Sequence, residues 1–264
     1  MRHAANLSML YPHLPMLQRP AAAAADGFSG VEILFPYDLD AGALRAALDE
    51  ADLVAVLINT PPGEGDERGL AAVPGAEERF RRCFEQALDT AAVLGADSVH
   101  TMAGNVAGNV AGNVAAGHGR ATAVDTLVAN LRWAAPRAAQ RGITLTLEGL
   151  NHHDFPGYCY ATPALVCEVL EAVDDANVRL QFDLYHTARE DLDPRAEIEA
   201  ARLWIHHVQI AGPPDRHEPT AEDRALLDAV AWLHADGYDG WLGFEYRPRG
   251  DTSAGLTWRA LLPS

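Results

Sequence analysis

The chain is poor in cysteine, in basic side chains and in long apolar runs. Its three cysteines, Cys83, Cys159 and Cys167, are odd in number and form no Cys-x-x-Cys pair. That argues against a disulfide framework and reads as packing thiols in a reduced, cytoplasmic protein. Only 20 basic residues face 37 acidic ones, a net charge of -17. A surface so acidic repels phosphate backbones, so no nucleic-acid partner is expected. No stretch approaches the ~18–20 apolar residues of a membrane span. The opening "MRHAANLSMLYPHLP" also lacks the apolar core of a signal peptide, so no membrane partner is expected either. A Gly-x-Gly-x-x-Gly turn is missing after the first apolar run, where "NLSMLY" stands. Its absence argues against a doubly wound dinucleotide fold.

What is present is material for one large core. Hydrophobic residues make up 48% of 264, and single α/β barrels typically run to about 250 residues. Eight short apolar runs recur: 4–8, 30–35, 53–59, 97–102, 143–148, 178–183, 205–210 and 240–245. Amphipathic helical patterns separate them. After Pro74, the residues Phe80, Phe84, Ala87, Leu88, Ala91 and Leu94 follow helical spacing, and Gly95 stands at the left-handed C-terminal cap. A second stripe runs through Val124, Leu127, Val128, Leu131, Ala135 and Ala138, with Pro136 expected to kink or break it. Asp26-Gly27, Arg141-Gly142 and Asp236-Gly237 close other helices shortly before strands. Eight alternating units without a composition break predict an α/β fold, a single (β/α)8 TIM barrel over residues 1–264.

Active sites of such barrels lie at the C-terminal ends of the strands. Strand five ends in Glu148, strand six in Asp183 and strand eight in Glu245, while strand seven carries Gln209. One acidic residue after a strand is commonly a helix cap or a loop charge. Four polar residues on consecutive strands are harder to explain that way. Converging carboxylates repel one another and lose hydration, and a bound cation removes that penalty. Three carboxylates and an amide oxygen form a hard set that favours Mg²⁺ or Mn²⁺ over Zn²⁺. Such a site leaves room for a small polar substrate that chelates through two oxygens.

The segments "AANLSMLY", "GVEILFPYD", "INTPPGE", "DFPGY", "LQFDLYH", "HVQIA", "RHEP" and "FEYRPRGDT" resemble the hydroxypyruvate isomerase family, within the xylose isomerase-like barrel superfamily. The resemblance runs over nearly the whole chain. It implies a divalent metal held by Glu148, Asp183, Gln209 and Glu245, with Glu148 and Glu245 also acting as acid and base. It implies as well that His186 and Arg216 face the substrate. The activity implied is the interconversion of hydroxypyruvate and tartronate semialdehyde, or of a related oxo-tetronate. Some positions depart from the pattern. Gly149 stands where the family has proline, His152 and His153 where it has arginines, and Gly212 where it has an acidic residue. A "GEINY"-like stretch after His-Glu-Pro is absent. An epimerase or dehydratase of longer ketoses therefore stays open. So does a non-catalytic sugar-acid binder. A DNA-repair endonuclease is opposed by the net charge of -17.

The chemistry suits these residues. A proton moves between adjacent carbons through an enediolate, one carboxylate removing it and the other returning it. The sequence does not say which glutamate is the base. Beside the metal ligands, Asn151 and His153 are expected to touch substrate, with one of His152 and His153 replacing an arginine. Arg216 would clamp a carboxylate, or else be a solvent-exposed loop charge. Arg247 and Arg249 flank Glu245 and would complement an acidic substrate. Of His206 and His207, at most one faces the interior. The tetrad Ala-Gly-Asn-Val occurs three times at 103–114, within a Gly-rich loop spanning 103–119 after strand four. It lacks the Lys-Ser/Thr of a phosphate loop. It reads as an expansion in a tolerant loop, with a glycine-hinged lid as the other reading. Barrels of this kind commonly pair, so a homo-oligomer is expected, with no interface assigned.

Overall fold

Each of the eight apolar runs forms a strand in the computed structural model, which describes residues 1–106 and 119–263. They are β1 (Arg2–Asn6), β2 (Gly30–Ile33), β3 (Val54–Asn59), β4 (Ser98–His100), β5 (Thr144–Leu147), β6 (Val178–Asp183), β7 (Ile205–Ile210) and β8 (Trp241–Phe244). Neighbours pair in parallel and β1 closes on β8, which completes the eight-stranded barrel. The first strand starts two residues earlier than its apolar run. Its last partner on β2 is Glu32, opposite Asn6, and the chain turns away at Leu7.

The connecting helices are α1 (Arg19–Ala25), α2 (Ala41–Glu50), α3 (Glu77–Leu94), α4 (Arg120–Ala139), α5 (Pro163–Val173), α6 (Leu184–Arg189), α7 (Pro194–Ala201), α8 (Arg224–Ala235) and α9 (Thr252–Gly255). α3 buries Phe80, Phe84, Ala87, Leu88, Ala91 and Leu94, the six residues its spacing marks. It stops at Gly95, whose φ of +65° only glycine adopts without strain. α4 runs unbroken through Pro136, contrary to the expected break. The proline offers no N–H to the Arg132 carbonyl, and the helix passes it and ends three residues later at Ala139. No helix among the described residues is long and apolar enough to cross a membrane.

Inside the barrel, Ala4, Val56, Leu57 and Trp241 close the N-terminal end. Gly30 makes room for this plug, since a Cβ there would stand 2.6 Å from the Trp241 ring. Above it the interior turns polar. The register aligns Asp183 with Gln209 and Gln209 with Gly243, so consecutive strands deliver side chains at one level.

The first copy of the tetrad, 103–106, is bonded on both sides. Ala103 bridges Gly69 and its N–H donates to the Tyr158 hydroxyl at 2.9 Å. Asn105 Nδ2 donates to the Asp66 carbonyl at 2.6 Å. The Val106 N–H donates to the Gly157 carbonyl at 2.8 Å. Gly104, at φ +103°, lies so close to Gly69 that a Cβ would meet its carbonyl at 2.4 Å. This copy ties the β3–α3 loop to the β5–α5 loop. The other two copies, and the rest of the 103–119 loop to residue 118, lie outside the described residues. The choice between expansion and lid lies there with them.

Candidate active site

The C-terminal mouth of the barrel collects the four residues expected there. Glu148 is the first residue past β5, Asp183 ends β6, Gln209 lies on β7, and Glu245 follows β8. All are buried, with exposures of 4%, 4%, 0% and 5% respectively. Burial, with Glu245 and Asp183 nearby, holds the Glu148 carboxyl well above the usual range. Burial pushes Glu245 up to about 8, with Asp183 adding to the effect against the pull of Arg216. Asp183 is raised by burial too. Acids brought this close out of water resist ionising together unless a cation joins them.

Arg216 is the cation the chain itself supplies. Its Nη2 lies 3.1 Å from Asp183 Oδ2 and 2.9 Å from Glu245 Oε2. Its guanidinium also stands 5.0 Å from the Tyr185 ring centroid. Burial works against its charge, but Glu245, Asp183 and Glu148 outweigh burial and raise its pKa. The arginine expected to clamp substrate is thus committed to two site carboxylates.

His186 sits one α6 turn beyond Asp183 and is buried. The Asn151 backbone N–H donates to its Nδ1 at 3.1 Å, and Asn151 Nδ2 lies 2.7 Å from the same nitrogen. Nδ1 is therefore the acceptor, which assigns the ring proton to Nε2. That N–H points between Glu148 Oε1 at 3.7 Å and Asp183 Oδ2 at 3.6 Å. Burial, then Arg216 and His100, keep the ring neutral. Glu148, Asp183 and His186 each offer one ligand-type atom within 4.8 Å of the others. The tautomer makes His186 a donor to whatever those carboxylates hold, rather than a third ligand.

Two expected substrate contacts stand elsewhere. Asn151 is fully buried behind His186, and its amide also binds Asp154 through Nδ2 and Oδ1. It orients the histidine. His153 is exposed, its ring 3.9 Å from that of His152, which binds Glu190. Arg249 turns away from Glu245 to Glu218, 3.6 Å distant. Of the adjacent pair on β7, His207 points inward to Glu32 at 2.6 Å and His206 outward to Asp97 at 2.9 Å.

A polar belt, built from residues inside apolar strands, lies beneath the carboxylates. Gln181 Nε2 donates to Glu148 Oε2 at 2.8 Å and to Gln209 Oε1 at 2.7 Å. Its own carbonyl accepts from Thr146 Oγ1 at 3.0 Å. Gln209 Nε2 then donates to Glu32 Oε2 at 2.9 Å. This network fixes which way both amides point, and it leaves Gln209 Oε1 a second lone pair. Glu32 fills a hollow that Gly243 opens, where a Cβ would stand 1.7 Å from its Oε1. His100, the last residue of β4, is buried 3.4 Å from Glu148 Oε2 and held neutral by burial, its pKa pushed down to about 3. The signals were present. Gln181 lies two residues before Asp183, on the same strand face. Glu32 is an acid within "GVEILF", and His100 closes "DSVH".

Outside the carboxylates opens a cleft of ≈ 550 Å³, lined by Arg68, Phe155, Tyr185, Arg216, His217 and Arg247 among others. Donor chemistry at its base fits a hard divalent cation. Glu148 Oε1 is buried with no hydrogen-bond partner, beside two more acids and an oriented amide oxygen.

The xylose isomerase-like TIM barrel family model matches residues 20–261. The chain is 43% identical to a 2-oxo-tetronate isomerase of Cupriavidus necator, over 97% of this chain and 96% of that protein. It is 34% identical to the hydroxypyruvate isomerase of Escherichia coli, over 98% of each. A crystal structure titled AP endonuclease, family 2, from Brucella melitensis superposes with a TM-score of 0.89 at 39% identity, covering 98% of both chains.

Proposed function

The chain belongs to the xylose isomerase-like TIM barrel family, and from that premise we propose that it isomerises hydroxypyruvate to tartronate semialdehyde through an enediolate. The observation that carries this reading is the pair of buried glutamates, Glu148 beyond β5 and Glu245 beyond β8. Both carboxyls are raised, toward the range where a carboxyl takes up and releases a proton near neutral pH.

One glutamate removes a proton from the hydroxyl-bearing carbon beside the carbonyl. The other delivers a proton to the former carbonyl carbon, and the hydroxyl proton passes from its oxygen to the former carbonyl oxygen, which leaves an aldehyde next to a new hydroxyl. The Nε2–H of His186 donates to a substrate oxygen lying between Glu148 and Asp183. Asn151 keeps that proton on Nε2 by occupying Nδ1. Gln181 holds Glu148 and Gln209 in fixed orientation. Glu148, Asp183, Gln209 and Glu245 would hold the divalent ion, Mg²⁺ or Mn²⁺ by the hardness of their oxygens. When bound, the ion supplies the charge that stabilises negative charge developing on the substrate oxygens. The three free cysteines fit a reduced, cytoplasmic setting.

A second reading is isomerisation of 2-oxo-tetronate, the same chemistry on a chain one carbon longer. The 43% identity to the Cupriavidus necator protein favours it. Turnover of each acid with Mg²⁺ or Mn²⁺, and again with chelator, tests both. Metal-dependent conversion of either is the expected result. Metal binding without conversion of either would reject the substrate class.

A further inference from the structure

Resting on the reading of the site as an oxo-acid isomerase, we propose that Arg68 and Arg247 form the subsite that takes the substrate carboxylate. A protein of net charge -17 gathers three arginines around one cleft. The chain contains no lysine, so every fixed side-chain cation is a guanidinium, the group that pairs with a carboxylate through two parallel N–H bonds.

The three arginines are not equivalent. Arg216 is already used, with Nη2 on Asp183 and Glu245 and Nε on the Glu245 carbonyl at 3.3 Å. Arg68 is anchored at one end only. Its Nε donates to Asp66 at 3.1 Å, and both Nη groups make no ion pair among the described residues. Arg247 makes no ion pair among the described residues either. Its backbone is pinned, with N–H donating to the Arg216 carbonyl and its own carbonyl accepting from His217 Nδ1, each at 2.7 Å.

The backbone at Arg68 supports a built subsite. Among the described residues, six non-glycine residues have positive φ, and two of them, Arg68 and Arg216 at +58° each, line this cleft. A non-glycine residue in that region is strained and persists only where its surroundings impose it. Here the neighbour imposes it. Gly69 packs so tightly that a Cβ would stand 2.3 Å from the Met102 carbonyl, and its N–H donates to Pro62 at 2.7 Å. The Arg68 guanidinium then lies 5.5 Å from the centroid of Phe155, whose ring is 5.6 Å from that of His186. Arg68, Phe155 and His186 thus lead in file from the outer cleft to the carboxylates. Two acids share the cleft. Asp154 is engaged by Tyr185 at 2.6 Å and Asn151 at 3.0 Å, and Asp215 is exposed at the mouth. The ligand class is a small carboxylate whose acid group adjoins the reacting carbonyl. A neutral ketose lacks the group these arginines bind.

The test is calorimetric titration of the Mn²⁺-loaded protein with D-glycerate, an inert acid, and with its neutral amide. Wild type, Arg68→Met and Arg247→Met are compared, with circular dichroism to confirm folding. Each variant is expected to weaken glycerate binding at least about tenfold and to leave the amide unchanged. Unchanged glycerate binding in both variants overturns the proposal. Equal weakening of acid and amide, or no glycerate binding to wild type, also overturns it. Arginine-dependent glycerate binding in a protein that turns over neither oxo acid keeps the subsite and rejects the isomerase reading.

Discussion

Replacing Glu245 by Gln is expected to stabilise the protein in chelator while removing its activity. The folded state holds the Glu245 carboxyl at about 8 against an ordinary value of 4.5. An acid with a raised folded pKa keeps a proton that the unfolded chain releases. Its ionisation therefore destabilises the fold increasingly as pH rises from 4.5 toward 8. For a group moved from 4.5 to about 8, the cost is at most about 2 kcal/mol at pH 6, about 3 at pH 7 and about 5 at pH 9. Glutamine has nearly the same shape and keeps an oxygen for Arg216, but carries no charge to desolvate. Thermal denaturation in chelator should give the variant a higher Tm, by up to about 10 °C at pH 7 for a domain of this size. The gap should widen from pH 6 to pH 9. Added Mn²⁺ should reverse the order, because wild type gains binding energy that the variant lacks. A variant less stable than wild type in chelator at every pH, or a gap that ignores pH, would refute the reasoning.

Asn151→Leu should remove the Nδ2 contact with His186 Nδ1 and the side-chain bonds to Asp154 while the backbone N–H still donates to Nδ1, loosening the ring and lowering kcat about 10-fold with little change in Mn²⁺ affinity by calorimetry. Gly243→Ala should cost about 3 kcal/mol or more in urea denaturation, since its methyl would fall 1.7 Å from Glu32 Oε1. Deleting one of the three tandem tetrads should leave kcat/KM unchanged, because an identical first copy remains to bond Gly69 and Tyr158. Gly104→Val, by contrast, should lower the Tm by several degrees, as it strains φ +103° and strikes the Gly69 carbonyl.

The fold was legible because its signal is redundant. Eight apolar runs, helical stripes such as Phe80 to Leu94, and glycines at four helix ends all point to one architecture. Glu148, Asp183, Gln209 and Glu245 were legible because strand ends are fixed by the same periodicity. Arg216, Asn151 and His153 were harder. They sit on loops, whose course depends on contacts with no sequence period. Arg216 turns inward to two acids, Asn151 disappears behind His186, and His153 faces solvent. The polar belt of Glu32, Gln181 and His207 was hidden differently. Each lies inside an apolar strand, and only barrel closure brings β2, β6 and β7 to one network.

Central to this account is proton transfer by two buried glutamates, and proton NMR of hydroxypyruvate in D₂O with the Mn²⁺- or Mg²⁺-loaded protein tests it most directly. The account predicts metal-dependent appearance of tartronate semialdehyde with deuterium exchange at the reacting carbon, lost in both Glu148→Gln and Glu245→Gln. Turnover that survives in either variant would contradict it.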